Sequence, residues 1–355
     1  MFKRTLFLLY APRTIRNVVV VGGTHGNEYT GVWCIKALDR QATVLQQTYP
    51  SLDISTLLAN PEAYMANKRF IEEDLNRQFS SHALSQSATT LEAKIARELN
   101  ELLGPKPLHE GEDDHMNLGK TDVIIDMHST TANMGVVLIV AEGDNLMAQA
   151  AAYAMQRCTQ AVCLLSTIKS RPQRPSLTSL AKHGMTIEVG PVPQGLLRHD
   201  SVEKTQGALH AVLEFLHLHN QEPNNMQQRL YDLYPSRKVP CYRSALAFRG
   251  KISWPSAEDN PNFPRYMVHK NVQDKDFSLI REGDPLFVDL DGEVIPYDGS
   301  HGSPICVTFI NEGGYYYASS GTGISVAKPA CFDLESGRIL RDDEVNSSDG
   351  TSFDL

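Results

Sequence analysis

The sequence predicts an α/β fold in which a mixed, largely parallel sheet is flanked by helices and followed by a smaller, mainly β domain. Three observations predict it. Short β-branched apolar runs alternate with helical segments up to about residue 220, the pattern of strands joined by crossover helices. Several of these runs are apolar throughout rather than alternating, as strands covered on both faces are. Beyond residue 220 the texture changes to proline, glycine and short β-type runs. With 355 residues, 41% of them hydrophobic, the chain can bury one large core and a smaller second one.

The first strand is Asn17 to Val21, which ends in Gly22-Gly23 as a buried parallel strand does where it breaks into a loop. Gly31 to Leu38 reads as a helix, Leu52 to Ala59 as a strand and Ala88 to Leu103 as a helix. Residues 105–120 are polar, charged and rich in turn formers, which predicts an exposed loop. Thr121 to Asp126 and Val136 to Val140 are strands, Asn145 to Cys158 is a helix, and Ala161 to Leu165 and Met185 to Val189 are strands. A long amphipathic helix spans Ser201 to His219. In the second part Pro285 to Asp289, Val294 to Pro296 and Ile305 to Ile310 read as strands.

Charge and cysteine usage narrow the function. With 33 basic against 42 acidic residues the net charge is -9, which excludes a general nucleic-acid or membrane-surface binder. An anionic ligand would therefore be held by local arginines. The six cysteines form no C-x-x-C pair, so they read as reduced thiols of a cytoplasmic protein rather than a disulfide framework or a zinc finger. The apolar run within Met1 to Ala11 is short and is followed by Arg13 and Arg16, unlike a cleaved signal. No apolar stretch reaches the roughly 18 residues that span a bilayer. A homo-oligomer is left open.

Gly22-Gly-Thr-His-Gly-Asn-Glu28 places His25 and Glu28 directly after a buried strand, at the carboxyl end where open α/β sheets hold ligands. Zinc takes imidazole nitrogen and carboxylate oxygen, and catalytic sites usually add a third protein ligand and water. His128 follows the strand ending at Asp126 and would emerge on the same edge. Two histidines and a glutamate make the shell of a hydrolytic zinc site. The plainer reading is a glycine turn whose His25 and Glu28 face water, with His128 held by the Ser129-Thr-Thr131 hydroxyls. Asp126 orients His128 or simply ends the strand; both readings stand.

A zinc hydrolase also needs a general base. Glu188 sits in the apolar strand Met185 to Val189, where an ionised side chain is costly unless paired or functional. Arg69 and Arg77 lie close together in a segment read as a loop, and arginine holds carboxylates through paired hydrogen bonds. A solvated, charge-rich loop is the alternative. His210, His217 and His219 lie on the long helix, the last two on different faces, and read as surface or packing residues.

Gly22 to Gly31, Asp74-Leu-Asn-Arg77, Asp126-Met-His-Ser-Thr-Thr131, Ile187 to Gly195, Asn271 to Asp276 and Asn311 to Tyr316 together closely resemble the aspartoacylase family, relatives of the zinc carboxypeptidases. The similarity runs over roughly residues 17 to 320. It implies a zinc carboxypeptidase-like fold, with a zinc hydrolase catalytic domain over residues 1–220 and a β-rich domain over 221–341 capping the active site, while the acidic, serine-rich composition of residues 342–355 reads as a loose tail. It implies one zinc ion per chain on His25, Glu28 and His128, Glu188 as base, Arg69 stabilising the oxyanion, and Asn76, Arg77 and Tyr315 holding a substrate α-carboxylate. The expected reaction is hydrolysis of small N-acyl-L-amino acids of the N-acetyl-L-aspartate type. In aspartoacylases proper an arginine and a lysine hold the aspartate side chain, and those places fall here at Thr178 and Ser319. Deacylation of aromatic or other neutral N-acyl amino acids is therefore the alternative. A carboxypeptidase and a catalytically silent metal-binding module are the remaining readings.

Overall fold

Four consecutive valines, Val18 to Val21, are all buried, and they make β1 (Asn17–Gly22) a strand covered on both faces. The computed structural model describes residues 14–109, 120–167, 170–244, 251–255, 266–317 and 322–340. The signal-like run within residues 1–11, the tail over 342–355 and Ser319 lie outside the described residues.

After β1 come α1 (Tyr29–Arg40), α2 (Ala42–Thr48), β2 (Asp53–Leu58), α3 (Pro61–Met65), α4 (Ser81–Ser85) and α5 (Leu91–Leu103). Next are β3 (Val123–Ser129), β4 (Gly135–Ala141), α6 (Asn145–Met155), β5 (Ala161–Ser166), β6 (His183–Gly190), α7 (His199–Gln221) and α8 (Pro223–Leu233). The remainder is β7 (Lys238–Ser244), β8 (Lys251–Ile252), β9 (Met267–Val268), β10 (Leu279–Ile280), β11 (Pro285–Val288), β12 (Val294–Pro296), β13 (Ile305–Thr308), β14 (Ile324–Asp333) and β15 (Arg338–Ile339).

Strands β2, β1, β3 and β6 pair in parallel in that order. β4 then runs antiparallel to β6 and parallel to β5, which pairs in parallel with β7. The sheet does not stop at residue 220: β7 pairs antiparallel with β14, which also carries β13, β8 and β15, and β10 follows β13. A separate small sheet joins β12, β11 and β9. The fold is the mixed, mostly parallel sheet with flanking helices and a mainly β C-terminal part that the alternating runs predict.

On one face α1, α6 and α7 pack Ile35, Leu38, Met147, Ala151, Leu209, Val212 and Phe215 against Val18, Val20, Ile125 and Ile187. On the other, Leu99 and Leu103 of α5 and Leu177 and Leu180 meet Val19, Val21 and Ile124. The C-terminal part has its own core around Phe287, Tyr297, Val307 and Ile324.

Element ends differ from expectation where a local cap intervenes. The helix expected from Ala88 begins at Leu91 because the Thr90 hydroxyl accepts from the Ala93 amide. The strand expected to reach Ile310 stops at Thr308, because Phe309 and Asn311 take positive φ of 51° and 57°. Part of the segment read as a loop is helical. Asn60 caps α3, with Pro61 at its first turn, and Asp74 caps a 3-10 turn over Leu75–Arg77. Those short, polar turns lack the apolar period that marks longer helices.

Candidate active site

Parallel pairing brings the carboxyl ends of β1, β3 and β6 to one edge, with His128 and Glu188 directly opposite each other in register. His25 and Glu28 come from the turn between β1 and α1. Gly23 takes φ of +69°, and a Cβ at Gly22 would lie 2.5 Å from the carbonyl carbon of Gly31, so the start of α1 sits against the strand end. That close approach aims Glu28, which immediately precedes α1, into the edge.

His25 Nδ1 lies 2.6 Å from Glu28 Oε1, His128 Nδ1 lies 3.0 Å from Glu28 Oε2, and the two Nδ1 atoms are 3.2 Å apart. All three residues are at most 5% exposed. Their ligand atoms lie within 4.8 Å of one another, and among the described residues they form the group able to hold a metal ion. Each imidazole turns its other nitrogen to a carboxylate: His25 Nε2 to Asp74 Oδ1 at 3.1 Å, and His128 Nε2 to Asp126 Oδ2 at 2.8 Å. Carboxylates behind the rings orient imidazole lone pairs toward a cation, so the donor set fits a divalent metal. Asp126 is itself held by the Thr24 hydroxyl at 2.8 Å, and because β3 runs on through His128 to Ser129, Asp126 does not end the strand but stands behind the His128 ring. Burial raises the Glu28 carboxyl, but the His25 and His128 imidazoles outweigh it and hold it well below the usual range.

Arg69 Nη1 donates to Glu28 at 3.2 Å and Nη2 to Asp74 at 3.4 Å, while Glu312 stands 4.0 Å away. Glu188 is buried, and burial, reinforced by the Glu28 and Glu312 carboxylates, pushes it well above the usual carboxyl value against the pull of His128 and Arg69. A carboxylate of raised proton affinity beside the His25, Glu28 and His128 cluster is suited to accept a proton.

His25, Glu28, Arg69, Asn76, Arg77, His128, Glu188 and Tyr315 all line one cavity of about 430 Å³. The eight residues singled out in the sequence therefore come together. Asn76 Oδ1 accepts from the Leu177 amide at 2.9 Å, and Tyr315 bonds the Ser325 hydroxyl at 2.5 Å. Thr178 lines the same cavity, as do Arg174 and Lys251. Arg171 is turned away: its guanidinium donates to the Ser179 and Leu180 carbonyls at 2.9 and 2.6 Å.

Glu312 and the orienting role of Asp74 escape sequence reasoning. Glu312 is 7% exposed and accepts from the Thr130 hydroxyl, from the Thr131 amide at 2.9 Å and from the Gly314 amide at 2.9 Å. A carboxylate beside a pair of glycines is a weak signal, since such a residue usually faces water in a turn. The three helical histidines bond or stack elsewhere: His210 with Tyr49, His217 with Ser51 and His219 on Phe215.

The succinylglutamate desuccinylase/aspartoacylase catalytic domain model matches residues 14–216, and the AstE/AspA barrel-sandwich hybrid domain model matches residues 246–325. A probable aspartoacylase of Nostoc sp. is 35% identical over 305 residues, covering 85% of this chain and 93% of that protein. An N-acyl-aromatic-L-amino acid amidohydrolase (carboxylate-forming) of Xenopus laevis is 33% identical over 324 residues, covering 90% and 96%. The crystal structure of murine aminoacylase 3 superposes with a TM-score of 0.76 at 29% identity, covering 93% of this chain and 99% of that one. No helix among the described residues is long and apolar enough to cross a membrane.

Proposed function

The chain belongs to the succinylglutamate desuccinylase/aspartoacylase family, and from that premise we propose that it is a zinc-dependent amidohydrolase that splits small N-acyl-L-amino acids into a carboxylate and the free amino acid. The observation that carries this reading is the convergence of a buried His25, Glu28, His128 cluster with Glu188 and Arg69 in one cavity. Zinc held by that cluster, one ion per chain, supplies the Lewis acidity that polarises an acyl carbonyl and makes water a nucleophile near neutral pH.

Glu188 takes the proton of the attacking water and returns it to the leaving nitrogen as the C–N bond breaks. Its raised proton affinity suits it to both halves of that transfer. Arg69, held in orientation by Glu28 and Asp74, hydrogen-bonds the oxygen on which negative charge develops. Asn76, Arg77 and Tyr315 bind the α-carboxylate, with Arg77 as the charged partner. The C-terminal β-rich part caps the cavity through Glu312 and Tyr315, and a small cavity covered on that side favours acyl amino acids over peptides.

The relatives' names divide between aspartate and aromatic substrates. Arg174 beside Thr178 supports an acidic side chain of the N-acetyl-L-aspartate type. A silent metal-binding module would have no use for Glu188 and Arg69 in these places.

The test is hydrolysis of N-acetyl-L-aspartate and N-acetyl-L-tyrosine by zinc-loaded protein, with a chelator control and the Glu188→Gln variant. The expected outcome is chelator-sensitive turnover that Glu188→Gln abolishes while retaining zinc. Chelator-insensitive turnover, or an active Glu188→Gln protein, overturns the mechanism.

A further inference from the structure

Lys106 is 2% exposed, lies just beyond the end of α5, and does not line the catalytic cavity. Lysine is rarely buried to this degree without a specific set of partners. Here its Nζ donates to the Phe79 carbonyl at 2.6 Å, the Arg174 carbonyl at 2.6 Å and the Ser179 hydroxyl at 2.8 Å. Its own amide is fixed to Asn100 Oδ1 at 3.0 Å, which ties the side chain's origin to α5.

The three acceptors belong to two segments that build the cavity wall. Phe79 follows the 3-10 turn carrying Asn76 and Arg77. Arg174 and Ser179 bracket Pro175, Ser176 and Thr178, all of which line the cavity together with Arg174 itself. The segments also touch directly, through Phe79 N to Pro175 O at 3.1 Å and Leu177 N to Asn76 Oδ1 at 2.9 Å. Lys106 is thus driven into the joint from behind. Burial and the neighbouring Arg171 and Arg174 guanidinium groups push its pKa down to about 6, yet the three contacts hold in either protonation state: Nζ donates to both carbonyls, and the Ser179 hydroxyl accepts from the ammonium or donates to the neutral amine. A residue serving packing alone would be better as methionine, which fills similar space without desolvating a charge.

We propose that Lys106 is a positioning residue for substrate binding: its Nζ locks the segment bearing Asn76 and Arg77 to the segment bearing Arg174 and Thr178, and so sets the distance between the α-carboxylate site and the side-chain wall. The proposal rests on the deacylase reading of the cavity.

The experiment uses the full chain carrying Lys106→Met, with Ser179→Ala as a milder variant that removes one acceptor. Michaelis kinetics on N-acetyl-L-aspartate, zinc content and hydrogen–deuterium exchange are measured. Lys106→Met removes the Nζ donor from the buried Phe79 carbonyl and leaves the Arg174 carbonyl only the longer Ser179 hydroxyl bond, so KM is expected to rise on the order of tenfold. With the metal cluster untouched, kcat stays within about twofold. Zinc content is unchanged, and exchange accelerates in segments 74–81 and 171–180. Ser179→Ala shifts KM the same way by less.

Unchanged KM in a folded Lys106→Met protein, or loss of kcat with KM intact, overturns the proposal. If that variant does not fold, Ser179→Ala with unaltered KM and exchange overturns it. Wild-type protein that hydrolyses no N-acyl amino acid refutes the deacylase reading instead. The exchange data then decide for Lys106: acceleration in both segments supports the lock, and none refutes it.

Discussion

The Glu312 carboxylate accepts the Thr131 backbone amide at 2.9 Å, and this bond joins the C-terminal β-rich part to the loop that follows His128. The same side chain faces Arg69 at 4.0 Å. Two chain regions separated by about 180 residues thereby meet beside the His25, Glu28 and His128 cluster. Glu312→Ala leaves the Thr131 and Gly314 amides without an acceptor and Arg69 with one carboxylate fewer. We expect kcat/KM to fall on the order of a hundredfold and stability by about 2–4 kcal/mol, with Glu312→Gln intermediate. Steady-state kinetics and chemical denaturation check this; activity within about twofold of wild type would show that Arg69 needs no help from Glu312.

Asp74 and Asp126 stand behind His25 and His128. Asn in place of either aspartate keeps the shape but removes the charge that favours the ligating tautomer. Zinc affinity is expected to fall about 10–100-fold in each variant, measured by competition with a chromogenic chelator. Equal affinity in all three proteins would mean that the strand end and the glycine turn alone orient the rings.

Arg174 lines the cavity whereas Arg171 is spent on backbone carbonyls. Arg174→Ala should therefore lower kcat/KM for N-acetyl-L-aspartate by roughly ten- to a hundredfold while changing N-acetyl-L-tyrosine turnover little. Arg171→Ala should affect both substrates alike, through the wall it supports. Equal losses on both substrates from Arg174→Ala would remove that residue from side-chain selection.

Asp276 provides a pH signature away from the metal cluster. Its Oδ1 accepts the Ile310 amide at 3.0 Å, and its Oδ2 has no hydrogen-bond partner among the described residues. Burial, with Asp274 adding to it, pushes the carboxyl up to about 6. A carboxyl raised on folding keeps a proton that the unfolded chain has released. Its contribution is thus fully present below about pH 4 and is lost as pH rises through about 6. Relative to Asp276→Asn, the wild type should lose up to about 3 kcal/mol between pH 4 and 7 in urea unfolding. A pH-independent difference would place the Asp276 pKa at its ordinary value.

Much of the site is legible in the chain because its positions are set locally. A valine run ending in two glycines announces a strand end, and His25 and Glu28 follow at once. Asp126 and His128 repeat the arrangement after another apolar run, and Glu188 is conspicuous as an acid inside a buried strand. The short turns around Asn60 and Asp74 are harder to read, since capping side chains rather than apolar periodicity create them.

By itself the sequence determined the strand and helix order, the parallel edge and the residue types available there, because hydrophobic period and glycine conformational freedom act over a few neighbouring residues. Only the tertiary structure decided which nitrogen each histidine turns inward, that Glu312 reaches the Thr131 amide, that Arg174 rather than Arg171 faces the cavity, and that Lys106 stands behind its wall. Each of these is a contact between side chains and backbone groups far apart in the chain. Its geometry follows from how separately formed elements pack, and no local pattern encodes that.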